Sequence, residues 1–254
     1  MYASVRDAIA LQGWPSIVEA LQALGMDAVE LEMDRQMQIR LVQNDGGQTH
    51  TTLDSKQAVD AYAMHLAHNS VRASAILLHN DFNRPDVEAE VRWVIDVVTA
   101  AAYLAIPAVR IDAVMTGETD MPLDQRVTRF ADCMKRVLDS TDYHIVELGI
   151  ENHGYQGNDP DFLDSVLDSV GSDRLGLTLD TGNFYWRGHP LNRVYDIIEH
   201  FAPRTKHTHA KNIAYPEDIQ QMGREIGYKY GEYVCPIPDG DIDHFHVVRI
   251  LKKA

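Results

Sequence analysis

The apolar positions of this chain change period repeatedly. Short runs of strand character, Asp27–Met33, Val71–Leu78, Ala108–Ile111, His144–Ile150, Leu175–Leu179 and Thr205–Lys211, alternate with longer stretches whose apolar residues recur every three or four positions. Such alternation marks βα units and a parallel sheet. The helical stretches are Ser16–Leu24, Ser55–Asn69, Glu88–Leu104, Leu123–Ser140, Pro160–Val170, Leu191–Phe201 and His244–Lys253. Their punctuation agrees with the period. Pro15 opens the first and Gly25 follows its last turn, while Asn158 and Asp159 stand where a cap for Pro160 is wanted. Tyr2–Val5 supplies a weak first strand. The polar segment Arg40–Thr52, with Asn44-Asp45-Gly46-Gly47 at its centre, predicts a small surface hairpin or lid. The reading yields seven strands and no eighth.

A length of 254 residues suits one TIM (β/α)8-type barrel, so a single domain spanning 1–254 is expected. With 45% hydrophobic and 24% charged residues the chain reads as globular. Its 23 basic and 38 acidic side chains give a net charge of −15, which argues against nucleic acid as a partner. A phosphate on one small metabolite still fits, because helix starts bind it with backbone N–H groups. Cys133 and Cys235 read as free thiols in a reducing compartment. The opening MYASVRDAIALQGW has no basic run followed by an apolar stretch, and no window approaches 18 apolar residues. No membrane partner and a cytoplasmic location are therefore expected. The pattern leaves a homo-oligomer open.

Polar residues gather at the ends of the last three strands: Glu151, Asp180, and the set His207, His209 and Lys211. In a βα barrel those ends converge on one mouth, so residues distant in sequence can meet around one ion. Two carboxylates and an imidazole suit a single Mn²⁺, Mg²⁺, Co²⁺ or Zn²⁺ ion with open positions for substrate oxygens. Bland readings stand beside these. Glu151 can cap the next helix, Asp180 can form an Asx-turn, and either histidine can simply hydrogen-bond a neighbour. Arg110 is a candidate substrate-binding cation, or a partner for Glu147 or Glu151. Lys211 is a second such cation and a candidate acid. His153, Asn183 and His207 sit in the same motifs as candidate substrate contacts, and Trp186 as a wall for a sugar face. Asp239 and Asp241, ahead of the last helix, are substitute carboxylates or plain helix starters. His65 and His68 read as surface or packing residues, and His244 and His246 lie at a helix start with a spacing of two that fits no single helical face.

The strings IENHGY, LDTGNF and THTHAKN, in that order, resemble the xylose-isomerase-like sugar isomerase/epimerase family, which also holds inosose dehydratases and barrel-type apurinic endonucleases. The resemblance covers essentially the whole chain. It implies that Glu151, Asp180 and His209 bind one divalent ion, the histidine being the second of the H-x-H pair. It also implies a proton transfer by Glu151 next to a metal-bound carbonyl, hence a sugar or polyol isomerase or epimerase. An inosose-type dehydratase and a non-catalytic metabolite-binding barrel are the alternatives. The nucleases carry a histidine three residues after the aspartate, where this chain has Asn183. The family's fourth ligand is a glutamate on an eighth strand, and the sequence stops at Leu251-Lys-Lys-Ala254 where that strand would begin, which reads as a truncated form.

Overall fold

The computed structural model describes residues 2–254. Along the chain the elements are β1 (Val5–Arg6), α1 (Asp7–Ala10), α2 (Ile17–Leu24), β2 (Ala28–Glu32), β3 (Gln38–Asp45), β4 (Gln48–Thr52), α3 (Lys56–His68), β5 (Arg72–Leu77), α4 (Val87–Tyr103) and β6 (Ala108–Asp112). They continue with α5 (Leu123–Ser140), β7 (Glu147–Glu151), α6 (Pro160–Val170), β8 (Leu175–Asp180), α7 (Asn183–Trp186), α8 (Leu191–Phe201), β9 (Thr205–His209), β10 (Asn212–Ile213), α9 (Tyr230–Tyr233), β11 (Val234–Cys235) and α10 (His244–Lys253). Two compact units form. The first comprises the chain up to Asn80 with Arg84–Ile111 and Cys133–Glu147, and the second comprises Asp81–Asn83, Asp112–Asp132 and Leu148–Ala254.

In the first unit β1 pairs with β2, β2 with β5 and β5 with β6, always in parallel. Val29, Leu31, Ile76, Val109 and Ile111 are fully buried, as expected of strands covered on both faces. Helix α2 starts on a serine N-cap: the Ser16 hydroxyl accepts from the Glu19 N–H at 3.2 Å and donates to the Glu19 carboxylate at 3.1 Å. It ends on Gly25 at φ 64°, a backbone that favours glycine. Strands β3 and β4 form the antiparallel hairpin expected of Arg40–Thr52. His65 holds it to α3, its Nε2 accepting from the Val42 N–H at 3.1 Å.

The first strand lies at Val5–Arg6, later than the expected Tyr2–Val5, because Tyr2 leaves the sheet and its ring takes the Arg72 guanidinium at 4.0 Å. Just past that strand the fully buried Asp7 carboxylate meets Arg40 Nε at 3.2 Å, an ion pair that no periodicity announces. The strand expected from His144 begins at Glu147, since the chain turns through Thr141–His144.

In the second unit β7, β8 and β9 run parallel, with Glu151 opposite Thr178 and Asp180 opposite His209. Strand β9 ends at His209, two residues short of the expected Lys211. Leu148, Ile150, Leu177, Leu179, Phe162 and Phe201 make its apolar core. Among the described residues the parallel strands number seven, and no helix is long and apolar enough to cross a membrane. Neither Cys133 nor Cys235 is in a disulfide.

Candidate metal centre

Strands β7, β8 and β9 each deliver a polar residue at their C-terminal end: Glu151, Asp180 and His209. Parallel pairing sets these ends side by side, and one ligand atom from each lies within 4.8 Å of the others. Burial makes the grouping expensive unless it is answered. Glu151 is 5% exposed and Asp180 is 2% exposed. His209 Nδ1 stands 3.1 Å from Glu151 Oε1. Asp180 Oδ1 accepts from the Gly182 and Asn183 N–H groups, both at 2.9 Å, leaving Oδ2 to face the Lys211 ammonium at 3.2 Å.

Asn183 links the two halves. Its amide oxygen accepts from Lys211 Nζ at 2.6 Å and its amide nitrogen donates to Glu151 Oε1 at 3.5 Å. Lys211 is therefore held against Asp180 while an amide stands between it and Glu151. Burial raises the Asp180 pKa above its ordinary value, with the Glu151 charge adding to the rise and Lys211 and His209 opposing it. Burial also pulls the Lys211 ammonium down, but Asp180, Tyr230 and Glu151 outweigh it and leave the pKa raised.

Backbone anchoring comes from residues to which sequence reasoning gave no role. Asn152, fully buried, accepts from the Asp180 N–H at 2.6 Å and donates to the Asp180 carbonyl at 2.9 Å. The Thr181 hydroxyl donates to the Lys211 carbonyl at 2.9 Å and accepts from the Lys211 N–H at 3.0 Å. His244 Nε2 lies 3.0 Å from that hydroxyl, so this histidine, set aside for its spacing from His246, buttresses the centre. Asn152 and Thr181 do sit inside the strings IENHGY and LDTGNF, and that adjacency was the available signal.

The other expected contacts are spread out. His153 Nδ1 stands 3.2 Å from Asp112 Oδ1 at the end of β6. The His207 ring lies 5.5 Å from that of His209. Trp186 closes α7 and is held under the 227 turn, its carbonyl accepting from the Gly227 N–H at 2.9 Å. Arg110 belongs to the first unit, where it is buried and donates to the Leu78 carbonyl. The Asp241 carboxylate is taken by the Tyr185 hydroxyl at 2.8 Å, the Tyr215 N–H at 2.8 Å and Gln220 Nε2 at 3.0 Å, which makes it a loop anchor.

Two buried carboxylates and one half-buried imidazole, converging, fit a hard or borderline divalent ion. Glu151, Asp180 and His209 would hold it.

The fold is shared with known proteins. A family model described as the xylose isomerase-like TIM barrel matches residues 18–254. No curated protein matches in sequence. Among solved structures, the probable 3-DHS dehydratase AsbF of petrobactin synthesis from Bacillus anthracis is 14% identical, with a TM-score of 0.66 over 100% of this chain and 90% of that one. The IOLI protein with a binding zinc atom is 15% identical, with a TM-score of 0.66 over 100% and 85%. A D-tagatose 3-epimerase-like protein is 15% identical, with a TM-score of 0.62 over 100% and 86%. At these identities the likeness shows the fold.

Proposed function

The chain belongs to the xylose isomerase-like TIM barrel family, and from that premise we propose that it is a divalent-metal-dependent isomerase or epimerase of a sugar or polyol-derived substrate. The reaction is a proton transfer at a carbon next to a carbonyl. One observation carries the reading: the ligand atoms of Glu151, Asp180 and His209 lie within 4.8 Å of one another, with Lys211 against Asp180. When bound, a divalent ion supplies Lewis acidity toward substrate oxygens. The Glu151 carboxylate accepts the proton from carbon, and its burial keeps bulk water from competing for that role. The Lys211 ammonium, fixed by Asp180 and Asn183, orients a substrate oxygen and returns a proton to it. Support also comes from the neighbours, which include a dehydratase, a zinc-binding protein and an epimerase-like protein of the same fold.

The test is solvent deuterium incorporation, followed by NMR over a panel of ketoses and inososes. The expected result is exchange at the carbon beside the carbonyl that requires added Mn²⁺ and falls by about 10²–10⁴-fold in Glu151→Gln. A product isomeric with its substrate supports the isomerase or epimerase, while loss of water from the product replaces it with a dehydratase. Tight metabolite binding with no exchange anywhere in the panel would overturn the catalytic reading.

A further inference from the structure

Arg126, on α5, is only 6% exposed, yet among the described residues no carboxylate lies in ion-pair range of it, in a chain of net charge −15. Its Nε donates to the Met121 carbonyl at 3.2 Å, and its Nη1 is buried with no acceptor. Its guanidinium lies 5.6 Å from the Tyr155 ring centroid and 5.8 Å from that of Phe162. Ring faces offset only part of the cost of burying a charge, and buried charges are ordinarily paired. Arg187 repeats the pattern. It lies 5.0 Å from the same Tyr155 ring, and among the described residues it has no carboxylate in range and its buried Nε has no acceptor. The nearby Glu118 carboxylate does not answer either cation, because its oxygens accept from the Met115 and Tyr155 N–H groups at 3.0 and 3.1 Å.

This pair of cations is tied to the metal centre through the chain. The Arg187 N–H donates to the Asn183 carbonyl at 2.9 Å, so the two residues are one helical turn apart and share a face. Side chains so related start about 5–6 Å from each other. Asn183 is the residue whose amide touches Lys211 and Glu151.

We propose that Arg126 and Arg187, on the Tyr155 ring, form a subsite for an oxyanion, a carboxylate or a phosphate. Guanidinium donors match both groups and strengthen when their partner is ionised. Resting on the function proposed above, the assignment narrows the substrate class: the sugar carries a negative group at a distance from the reacting carbon, as a sugar acid or a sugar phosphate.

Calorimetric titration of the metal-free protein with inorganic phosphate and, separately, with D-glycerate tests the subsite without any turnover. At least one anion should bind the wild type, and Arg187→Gln should weaken it roughly tenfold or more, the loss of one charge-assisted contact. The exposed Arg193→Gln should leave binding unchanged. Arg126→Gln should weaken it likewise wherever its circular dichroism shows a native fold, and Arg187→Gln decides alone if it does not. Tighter glycerate than phosphate binding assigns a carboxylate, and the reverse assigns a phosphate. Failure of both anions to bind, or equal binding by Arg187→Gln and wild type, would overturn the subsite. Anion binding that survives while no sugar exchanges deuterium would sink the proposed reaction and leave the subsite standing.

Discussion

Asn152 exposes no surface, and its amide ties the backbone of Asp180 to the end of β7. In Asn152→Ala the Asp180 N–H is left buried without that acceptor, which costs about 1–3 kcal/mol. For a chain of this size each kcal/mol lowers the melting temperature by about 2–4 °C. Divalent-ion affinity should fall about 10–100-fold, as for other groups that orient a metal ligand. Melting and metal titration of the same variant check both, and unchanged values would contradict the anchoring role. Asp7 offers a pH test. Burial raises its pKa above the ordinary 3.8, against backbone bonds from Glu32 and Ala8 and the charge of Arg40, which lower it. The folded chain therefore holds this proton more tightly than the unfolded chain, and the Asp7 contribution to stability declines as pH rises from 3.8 through the folded value. Asp7→Asn lacks that decline, so urea unfolding across the window should show its stability gaining on wild type as pH rises. A constant gap would exclude the effect. At this scale the sequence pointed to Glu151 and Asp180, because each carboxylate ends an apolar run, and to His209 through the H-x-H pair of THTHAKN. It concealed Asn152, Thr181 and Asp7, whose work consists of bonds to partners that only the fold brings near. His244 was concealed by spacing: its separation of two from His246 fits no helical face, yet folding sets it against Thr181.

The strands that carry the centre approach one another closely at Gly149 and Gly176, which are partners across β7 and β8. A Cβ on Gly176 would run into the Arg204 carbonyl, backbone that cannot step aside. Gly176→Ala should push β8 and β9 apart at a cost of about 1–3 kcal/mol. Since Asp180 and His209 stand opposite each other on those strands, ion affinity should drop together with the melting temperature. Loss of stability with full affinity would show that the displacement does not reach the strand ends. The long helices and the hairpin were legible because their periods extend over many residues and their caps, Ser16 with Glu19 and Gly25 for α2, are explicit in the sequence. α1, α7 and α9 have four residues each and β10 and β11 have two, too few to show a period, and they escaped notice for that reason.

Across the whole molecule, the alternation of strand and helix patterns pointed to the barrel, and the family match shows it. Charge was informative in the opposite sense from its total. A net charge of −15 argues against a polyanionic partner, whereas the two guanidiniums, with no carboxylate in range among the described residues, favour a small anion. Nothing in the periodicity of α5 or in the LDTGNF string brings Arg126 and Arg187 to one tyrosine ring, because that meeting is made by α5, the end of α7 and the turn between β7 and α6. The proposed function requires that Glu151, Asp180 and His209 hold one divalent ion. Calorimetric titration of the metal-free protein with Mn²⁺ measures it most directly, in the wild type, Asp180→Asn, His209→Ala and His207→Ala. The predicted result is one ion per chain for the wild type and for His207→Ala, with affinity lower by about tenfold or more in Asp180→Asn and His209→Ala. Binding in those two variants that equals the wild type, or no binding by the wild type, would contradict it.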